Sequence, residues 1–265
     1  MPIELRHHDG RVLFVALTED LGLALRQAIR AKVDLSGIAL EGVDLRGADL
    51  EDGRFDGARL ARASLRQSNL EETSFRGADF TGAQLDGSNL EEAILDAARL
   101  VGASFRGSNL EEASLRGADL SNACLDGTNL EEADLRDATL LGATFARSNL
   151  ERARLDGTKA EGASFVRANV ERASFRDADL QRASFAGANV EKVDLGRARL
   201  AGAIFTGANV ERASLRGCDC TDADFGEANL ERCDFTGARI AGARFEHANV
   251  EDVTGLDSAK GGPYR

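Results

Sequence analysis

The strongest constraint on this chain is a five-residue repeat that runs without an insertion from Leu35 to Val250. Every fifth residue is Leu, Phe, Val or Ile, with only Ala160 and Cys220 departing. We call these the core positions. Two residues before each one is a small residue, usually Ala, at what we call the small position. A helical stripe of period 3.6 cannot stay in register with a period of five, so the repeat predicts extended chain broken by turns.

A second period of twenty residues overlies the first. Asn-Leu-Glu-Glu begins at positions 69, 89, 109 and 129, and Asn-Leu-Glu-Arg or Asn-Val-Glu-Arg begins at 149, 169, 209 and 229. Such self-similarity is typical of a solenoid, in which each repeat buries its apolar face by stacking on its neighbours. Four pentapeptides then close one coil, and the 44 pentapeptides predict about eleven coils. At about 4.8 Å per coil the rod would be about 50 Å long.

Several repeats resemble those of the pentapeptide-repeat family, and the resemblance covers about four fifths of the chain. The motifs that carry it are Ala48-Asp49-Leu50, Ala78-Asp79-Phe80, Ser108-Asn109-Leu110 and Ala118-Asp119-Leu120. The resemblance implies an all-β solenoid, a right-handed quadrilateral parallel β-helix with the core and small positions pointing inward. We expect this β-helix to span 32–253, between an N-terminal cap at 1–31 and a flexible C-terminal tail at 254–265.

The residues before the repeat predict a β-hairpin followed by a helix. Residues 3–8 and 11–16 form two short strands around Asp9-Gly10, a pair favoured in tight hairpin turns. Thr18 then caps a helix over about 19–31. We interpret this segment as a cap on the open apolar end of the solenoid, as terminal repeats require. The alternative is a separate binding module, for which thirty residues supply little core.

Other features of the sequence exclude several classes of protein. No apolar run is long enough to span a membrane, and the N-terminus lacks the pattern of a signal peptide, so we expect a cytoplasmic protein. Four cysteines fit no metal spacing, and Cys218, Cys220 and Cys233 occupy inward positions, where we expect them to be buried, whereas Cys124 should face outward. The sequence contains no phosphate-binding loop. We therefore predict no cofactor, no metal and no enzymatic activity.

The outer surface can be described as columns of residues twenty apart. One column, directly after the core position, is glutamate from Glu51 to Glu251, and we call it the glutamate column. Beside it an asparagine column runs from Asn69 to Asn249, where stacked amides can hydrogen-bond along the rod. Like charges about 4.8 Å apart disfavour the fold, so the sequence offers no structural reason for the glutamate column. Other columns alternate in sign, as Arg59, Asp79, Arg99 and Asp119 do.

The position after the glutamate column divides the rod into two halves. It is acidic up to Glu132 and basic from Arg152 to Arg232. Residues 31–150 contain 22 acids and 12 bases, a net charge of −10, whereas residues 151–250 contain 16 and 15, a net charge of −1. The first half thus has two carboxylates per coil, about one per 2.4 Å, against one charge per about 1.7 Å in duplex DNA. We call the following eight residues the acidic face: Glu71, Glu72, Glu91, Glu92, Glu111, Glu112, Glu131 and Glu132.

Two functions are compatible with this surface. Some members of the family that the chain resembles imitate DNA in shape and charge and bind type II topoisomerases, which implies a non-enzymatic protein whose acidic face binds DNA gyrase or topoisomerase IV rather than nucleic acid. This sequence lacks the loops and the C-terminal dimerisation helix of those members. The alternative is a structural spacer or protein–protein adaptor, whose glutamates form a solubilising surface.

Two further expectations concern packing. After the last coil only Val253, Leu256 and a Gly-rich tail could shield its apolar interior, so we expect weak end-to-end homodimers through the C-terminal coil. Ala160 is small where Leu140 and Leu180, one coil away on either side, are large. We therefore expect loose packing around Ala160.

Overall fold

The computed structural model describes residues 2–256, and its N-terminal part is an antiparallel hairpin. Strand β1 (Ile3–Arg6) pairs with β2 (Val12–Ala16), with Ile3 opposite Ala16 and an irregularity after Leu5. The first strand is shorter than the 3–8 predicted from sequence. It ends early because His7 pairs instead with Ile38 of the solenoid. The hairpin is therefore joined by backbone pairing to the first coil.

The helix α1 (Leu21–Arg30) follows the hairpin, and it begins and ends inside the predicted range of 19–31. Its N-cap is Asp20, whose side chain accepts a hydrogen bond from the Leu23 N–H at 2.8 Å. The prediction that Thr18 is the cap was wrong: Thr18 Oγ1 accepts from the Asp20 N–H at 3.1 Å instead. Asp and Thr are both good N-cap residues, and the geometry favours the one nearer the helix.

The solenoid consists of four parallel ladders in which each residue pairs with the residue twenty positions further on. The ladders begin at Ala39, Asp44, Asp49 and Arg54, and each joins eleven residues, ending at 239, 244, 249 and 254. Backbone bonds run along the rod from each core residue between Leu35 and Phe235, as when the Leu110 N–H donates to the Asn129 carbonyl at 2.7 Å. Each coil therefore has four sides, and residue i+20 lies over residue i.

A tight turn follows every core residue. The N–H of the next small position donates back to the core carbonyl, as in the bond of 3.1 Å from Ala113 to Leu110. The residue two after the core has a positive φ, which is 64° at Gly117 and 56° at Glu112. We call this the turn position. Glycine adopts this conformation freely, whereas an L side chain is disfavoured there by about 1–2 kcal/mol.

The core is continuous from Leu45 to Ile240, because every core and small position in this range is buried. Cys218, Cys220 and Cys233 are buried within it, as predicted. From residue 145 onward, one side of the core is a stack of phenylalanine rings, with neighbouring centroids between 4.8 and 5.2 Å apart: Phe145, Phe165, Phe185, Phe205, Phe225 and Phe245. Helix α1 adds Ala24, Leu25 and Ala28 to the same cluster.

The last coil departs from the predicted burial. Ala243 and Phe245 are only partly buried, and Val250 is 45% exposed, so the prediction that inward positions are buried up to 250 was wrong here. Within the described residues, no further coil stacks on this one. Most of the predicted tail, from residue 257 onward, lies outside the described residues.

Candidate protein-binding face

The acidic face lies along one edge of the rod, where the chain turns. In each coil the glutamate column supplies the first residue of a turn and the turn position supplies the second, so their carboxylates are neighbours. Glu71 is partly buried and Glu72 is exposed, and the same alternation recurs at Glu91 and Glu92. The parallel ladders repeat this pair every coil, and they place all eight predicted residues on the same edge.

The asparagine column forms the predicted amide ladder. Asn109 Nδ2 donates to Asn89 Oδ1 at 3.2 Å, and Asn129 Nδ2 donates to Asn109 Oδ1 at 3.0 Å. Bonds of 2.9–3.5 Å connect the column from Asn69 to Asn249. The Asn oxygen also accepts from the N–H of the glutamate two residues later, as Asn109 does from Glu111. The column therefore fixes the backbone from which the glutamates project.

The structure also supplies the reason for the glutamate column that the sequence did not reveal. In the first half, each Asn donates a second bond to the glutamate eighteen residues earlier, as Asn89 does to Glu71 at 3.0 Å and Asn129 does to Glu111 at 3.1 Å. The expectation that these glutamates have no structural role is thus corrected. The sequence contains one signal for these bonds, because an Asn and a Glu recur two residues apart in every coil. When the coils stack, this spacing places each Asn amide beside the Glu carboxylate of the preceding coil.

In the second half, basic residues at the turn position take over this role. Lys192 Nζ lies 2.5 Å from Glu191 and 3.7 Å from Glu171, and Arg232 Nη1 lies 3.1 Å from Glu231. Within residues 2–256, the hydrogen bonds from Asn to Glu end at Glu131. The boundary between the two arrangements lies at Arg152, which pairs with Glu131, Glu132 and Glu151.

The electrostatics of the same column are opposite in the two halves. Burial between coils, together with the charges of Glu91 and Glu51, raises the pKa of Glu71 above its ordinary value. The hydrogen bond and charge of Lys192 hold the pKa of Glu191 below its ordinary value, with help from Arg212. Glu71 is therefore repelled by the carboxylates of the neighbouring coils, whereas Glu191 is paired with a basic side chain.

Other chemical groups do not form an alternative site. Burial raises the pKa of Cys233 to about 12, and the neighbouring Cys218 and burial raise that of Cys220, so neither thiol is a ready nucleophile. The cleft beside α1 is lined by charges that pair with one another, as Arg26 does with Asp49 at 2.9 Å. Across residues 2–256 no cluster of His, Cys, Asp or Glu could hold a metal ion, and no helix has the length and apolarity needed to cross a bilayer.

The protein is a β-solenoid whose surface residues form columns with a spacing of twenty residues. A family model described as pentapeptide repeats matches residues 31–60, 58–96, 93–131 and 218–254. A second model, described as a pentapeptide repeat region, matches residues 137–205. The chain belongs to the pentapeptide-repeat family, and its fold is the right-handed quadrilateral β-helix of that family. No curated protein sequence matches it.

The solved structure of HetL agrees with this assignment, and a second solved structure also matches the chain. HetL, a pentapeptide repeat protein involved in heterocyst differentiation regulation in the cyanobacterium Nostoc sp. strain PCC 7120, is 27% identical with a TM-score of 0.54, and the match covers 89% of this chain and 97% of HetL. Trypsin-treated QnrB1, a plasmid-mediated fluoroquinolone resistance protein, is 21% identical over 72% of this chain and 91% of its own, with a TM-score of 0.36. The score for QnrB1 is too low to carry an argument about function.

Proposed function

We propose that this protein is a non-enzymatic binding protein of the cytoplasm, and that its acidic face imitates duplex DNA toward a type II topoisomerase such as DNA gyrase or topoisomerase IV. The observation that carries the proposal is the fixed row of carboxylates held by the asparagine column. Of the eight glutamates, only Glu131 and Glu132 form an ion pair within residues 2–256, in both cases with Arg152. The other six have no cationic partner among these residues.

Charge spacing supports imitation of DNA in the first half alone. Two carboxylates per coil give about one charge per 2.4 Å, close to the spacing of about 1.7 Å along a duplex. The Asn–Glu hydrogen bonds, at 3.0–3.3 Å from Glu71 to Glu131, fix half of these charges before any partner arrives. A basic groove built for phosphates would therefore meet a preorganised partner, and binding would weaken steeply as salt is added.

The alternative proposal is a spacer or adaptor without a role related to nucleic acids. The observation that favours it is the regularity of the rod, because no loop interrupts the ladders from Ala39 to Thr254. HetL is described as involved in regulating differentiation, and a rod of similar extent in that protein is compatible with either proposal. Both proposals assign binding rather than catalysis to the chain.

A gyrase supercoiling assay tests the proposal. The test variant Glu72→Arg, Glu92→Arg, Glu112→Arg reverses three of the four exposed charges of the acidic face. The control variant Asp137→Arg, Asp222→Arg, Glu227→Arg makes the same change in charge at turn positions of other faces, where φ is also positive. We expect the parent and the control to inhibit gyrase or protect it from a poison, and the test variant to be at least about tenfold weaker.

Two results would contradict the proposal. If the folded test variant acts on gyrase as strongly as the parent, the acidic face is not the binding surface. If the parent has no effect on gyrase or topoisomerase IV, the adaptor proposal replaces it.

A further inference from the structure

One column of turn positions differs from the other three. It contains twelve residues twenty apart, which we call the turn column, and every one is charged and has φ between 53° and 62°: Lys32, Asp52, Glu72, Glu92, Glu112, Glu132, Arg152, Arg172, Lys192, Arg212, Arg232 and Asp252. The other three columns of turn positions use glycine repeatedly, as at Gly82, Gly107 and Gly117, one from each column. Glycine would adopt this backbone conformation at lower free energy, so each of the twelve charged side chains has a local cost in stability.

The order of signs along the turn column inverts about its midpoint. From the N-terminal end it reads one positive charge, five negative, five positive and one negative. Residues equally distant from the point midway between Glu132 and Arg152 always have opposite charges. These pairs are Lys32 with Asp252, Asp52 with Arg232, Glu72 with Arg212, Glu92 with Lys192, Glu112 with Arg172, and Glu132 with Arg152.

A second copy of the chain, lying antiparallel, would match this pattern along its whole length. In an interface with two-fold symmetry, residue i of one copy contacts residue j of the other, and j contacts i. Both copies have the same coil spacing, so a match at the midpoint extends to both ends of the turn column. We propose that this protein forms an antiparallel, side-by-side homodimer through the turn column.

The side chains of the turn column are more exposed than those of the glutamate column, so a partner would contact the turn column first. In the second half, the side chains of Arg152, Arg172, Arg212 and Arg232 are 45–48% exposed and that of Lys192 is 34% exposed, whereas those of the glutamate column from Glu151 to Glu231 are only 21–25% exposed. The recessed glutamates already have partners in their own chain, which are Asn amides in the first half and basic side chains in the second. The turn-column residues Glu72, Glu92 and Glu112 have no cationic partner within residues 2–256 and could pair with a second copy. The turn-column bases of the second half, such as Lys192 and Arg212, also contact glutamates of their own chain and would be shared with that copy.

The contact would be weak and sensitive to salt. A strip about 50 Å long and about 12 Å wide buries about 1,200 Å² in total, at the lower limit for specific interfaces. Each copy has a net charge of −12, so repulsion opposes pairing at low ionic strength. At about 0.15 M salt the Debye length of about 8 Å leaves mainly the close, complementary pairs, and at about 1 M these are screened as well. The dimer would cover the acidic face, so pairing and partner binding would exclude each other.

Charge reversal with the full chain tests the dimer by sedimentation equilibrium at about 0.15 M salt. The variant Arg172→Glu, Lys192→Glu, Arg212→Glu places like charges opposite each other, and we expect its self-association to be at least about tenfold weaker than that of the parent. The control Arg62→Glu, Arg147→Glu, Arg167→Glu changes turn positions on other faces and should dimerise like the parent.

A rescue experiment separates complementarity from general damage. The variant Glu72→Arg, Glu92→Arg, Glu112→Arg should also be monomeric alone, but mixing it with the first triple variant should give heterodimers, because their turn columns are complementary. A chain with all six changes restores the inverted pattern and should dimerise by itself. Circular dichroism confirms that each variant is folded.

Three results would overturn the dimer: a parent that stays monomeric at high concentration, a folded triple variant that dimerises like the parent, or a dimer twice the length of one chain in small-angle scattering. The last result would support the end-to-end contact through Val250, which stays a prediction.

The dimer is measured without topoisomerase, and the Arg172, Lys192, Arg212 variant keeps the acidic face. That variant should therefore still act on gyrase, so failure of one proposal is distinguishable from failure of the other.

Discussion

The two halves of the rod share a scaffold but differ in how they hold the same column of glutamates. In the first half, Glu91 accepts a bond from the Asn109 amide at 3.2 Å, whereas in the second half Glu191 pairs with Lys192 at 2.5 Å. Net charge is −10 in residues 31–150 and −1 in residues 151–250. The glutamate column is thus the same in both halves, and the difference in net charge between the halves comes from the exposed turn column.

The largest expected effect tests whether the two halves share one core. Leu110→Asp and Val210→Asp place a charge at the same side of the core in the first and second halves, where both side chains are fully buried. We expect each to lower the free energy of unfolding by about 4–5 kcal/mol, because an unpaired charge would replace apolar contacts. Urea denaturation followed by circular dichroism measures this.

Leu141→Asp is the control for these substitutions, since Leu141 is 42% exposed and should tolerate the change. Two separate unfolding transitions in either core variant would show that the halves fold independently. An unchanged transition would mean that the inward assignment is wrong.

A smaller difference is expected from the asparagine column. Asn109 bonds to Asn89, Glu91, Glu111 and Asn129, whereas Asn209 bonds to Asn189 and Asn229. We expect Asn109→Ala to cost about 2–3 kcal/mol and Asn209→Ala about 1–1.5 kcal/mol, because a bond to a charged group is worth more than a neutral one. Equal losses in thermal or chemical denaturation would show that the Asn–Glu bonds add no stability.

The sequence was sufficient to predict the solenoid because its signal is repeated at every coil. A core residue at every fifth position leaves one arrangement that buries them all, and single exceptions such as Cys220 do not disturb it. The helix cap was missed because Thr18 and Asp20 are equally suitable as residue types.

The bonds of the acidic face were missed for a different reason. Asn109 and Glu111 are close in sequence, and this suggests an interaction within one coil. The side-chain bond instead joins Asn109 to Glu91, eighteen residues earlier. Only the stacking of coils brings these two groups together, so the relation has no local signal.

The halves should respond to acid in opposite directions. The pKa of Glu71 is raised in the folded protein, so protonation of Glu71 stabilises the fold. This stabilisation is complete below the pKa of Glu71 in the unfolded chain, and it is lost as pH rises through the pKa of Glu71 in the folded protein. The pKa of Glu191 is lowered, so its contribution is present above the unfolded pKa and is lost as pH falls through the folded value.

We therefore expect hydrogen exchange, corrected for intrinsic rates, to slow around Glu71 and to quicken around Glu191 as pH falls from neutral toward 4.5, the ordinary value. Glu71→Gln should raise the melting temperature slightly and Glu191→Gln should lower it. Shifts of the same sign would show that the two halves do not differ in this way.

The smallest expected effect concerns packing in the second half. Ala160 is fully buried in a column of the core whose neighbours are Leu140 and Leu180. We expect Ala160→Leu to raise the free energy of unfolding by about 1 kcal/mol if space remains beside it, since larger apolar side chains bury more surface. A lower melting temperature would mean that the surrounding side chains already fill the position.

The unequal ends of the rod determine how it would come apart under tension. Its first coil is attached to the hairpin through His7 and Ile38, whereas the last ladder within the described residues ends at Thr254, in a coil whose Phe245 is only partly buried. Since each coil contacts only its neighbours, force applied at the two ends of the chain should unfold the coils one after another, starting from the C-terminal side. Every coil of twenty residues would release about 70 Å of chain, giving evenly spaced steps in a force–extension trace.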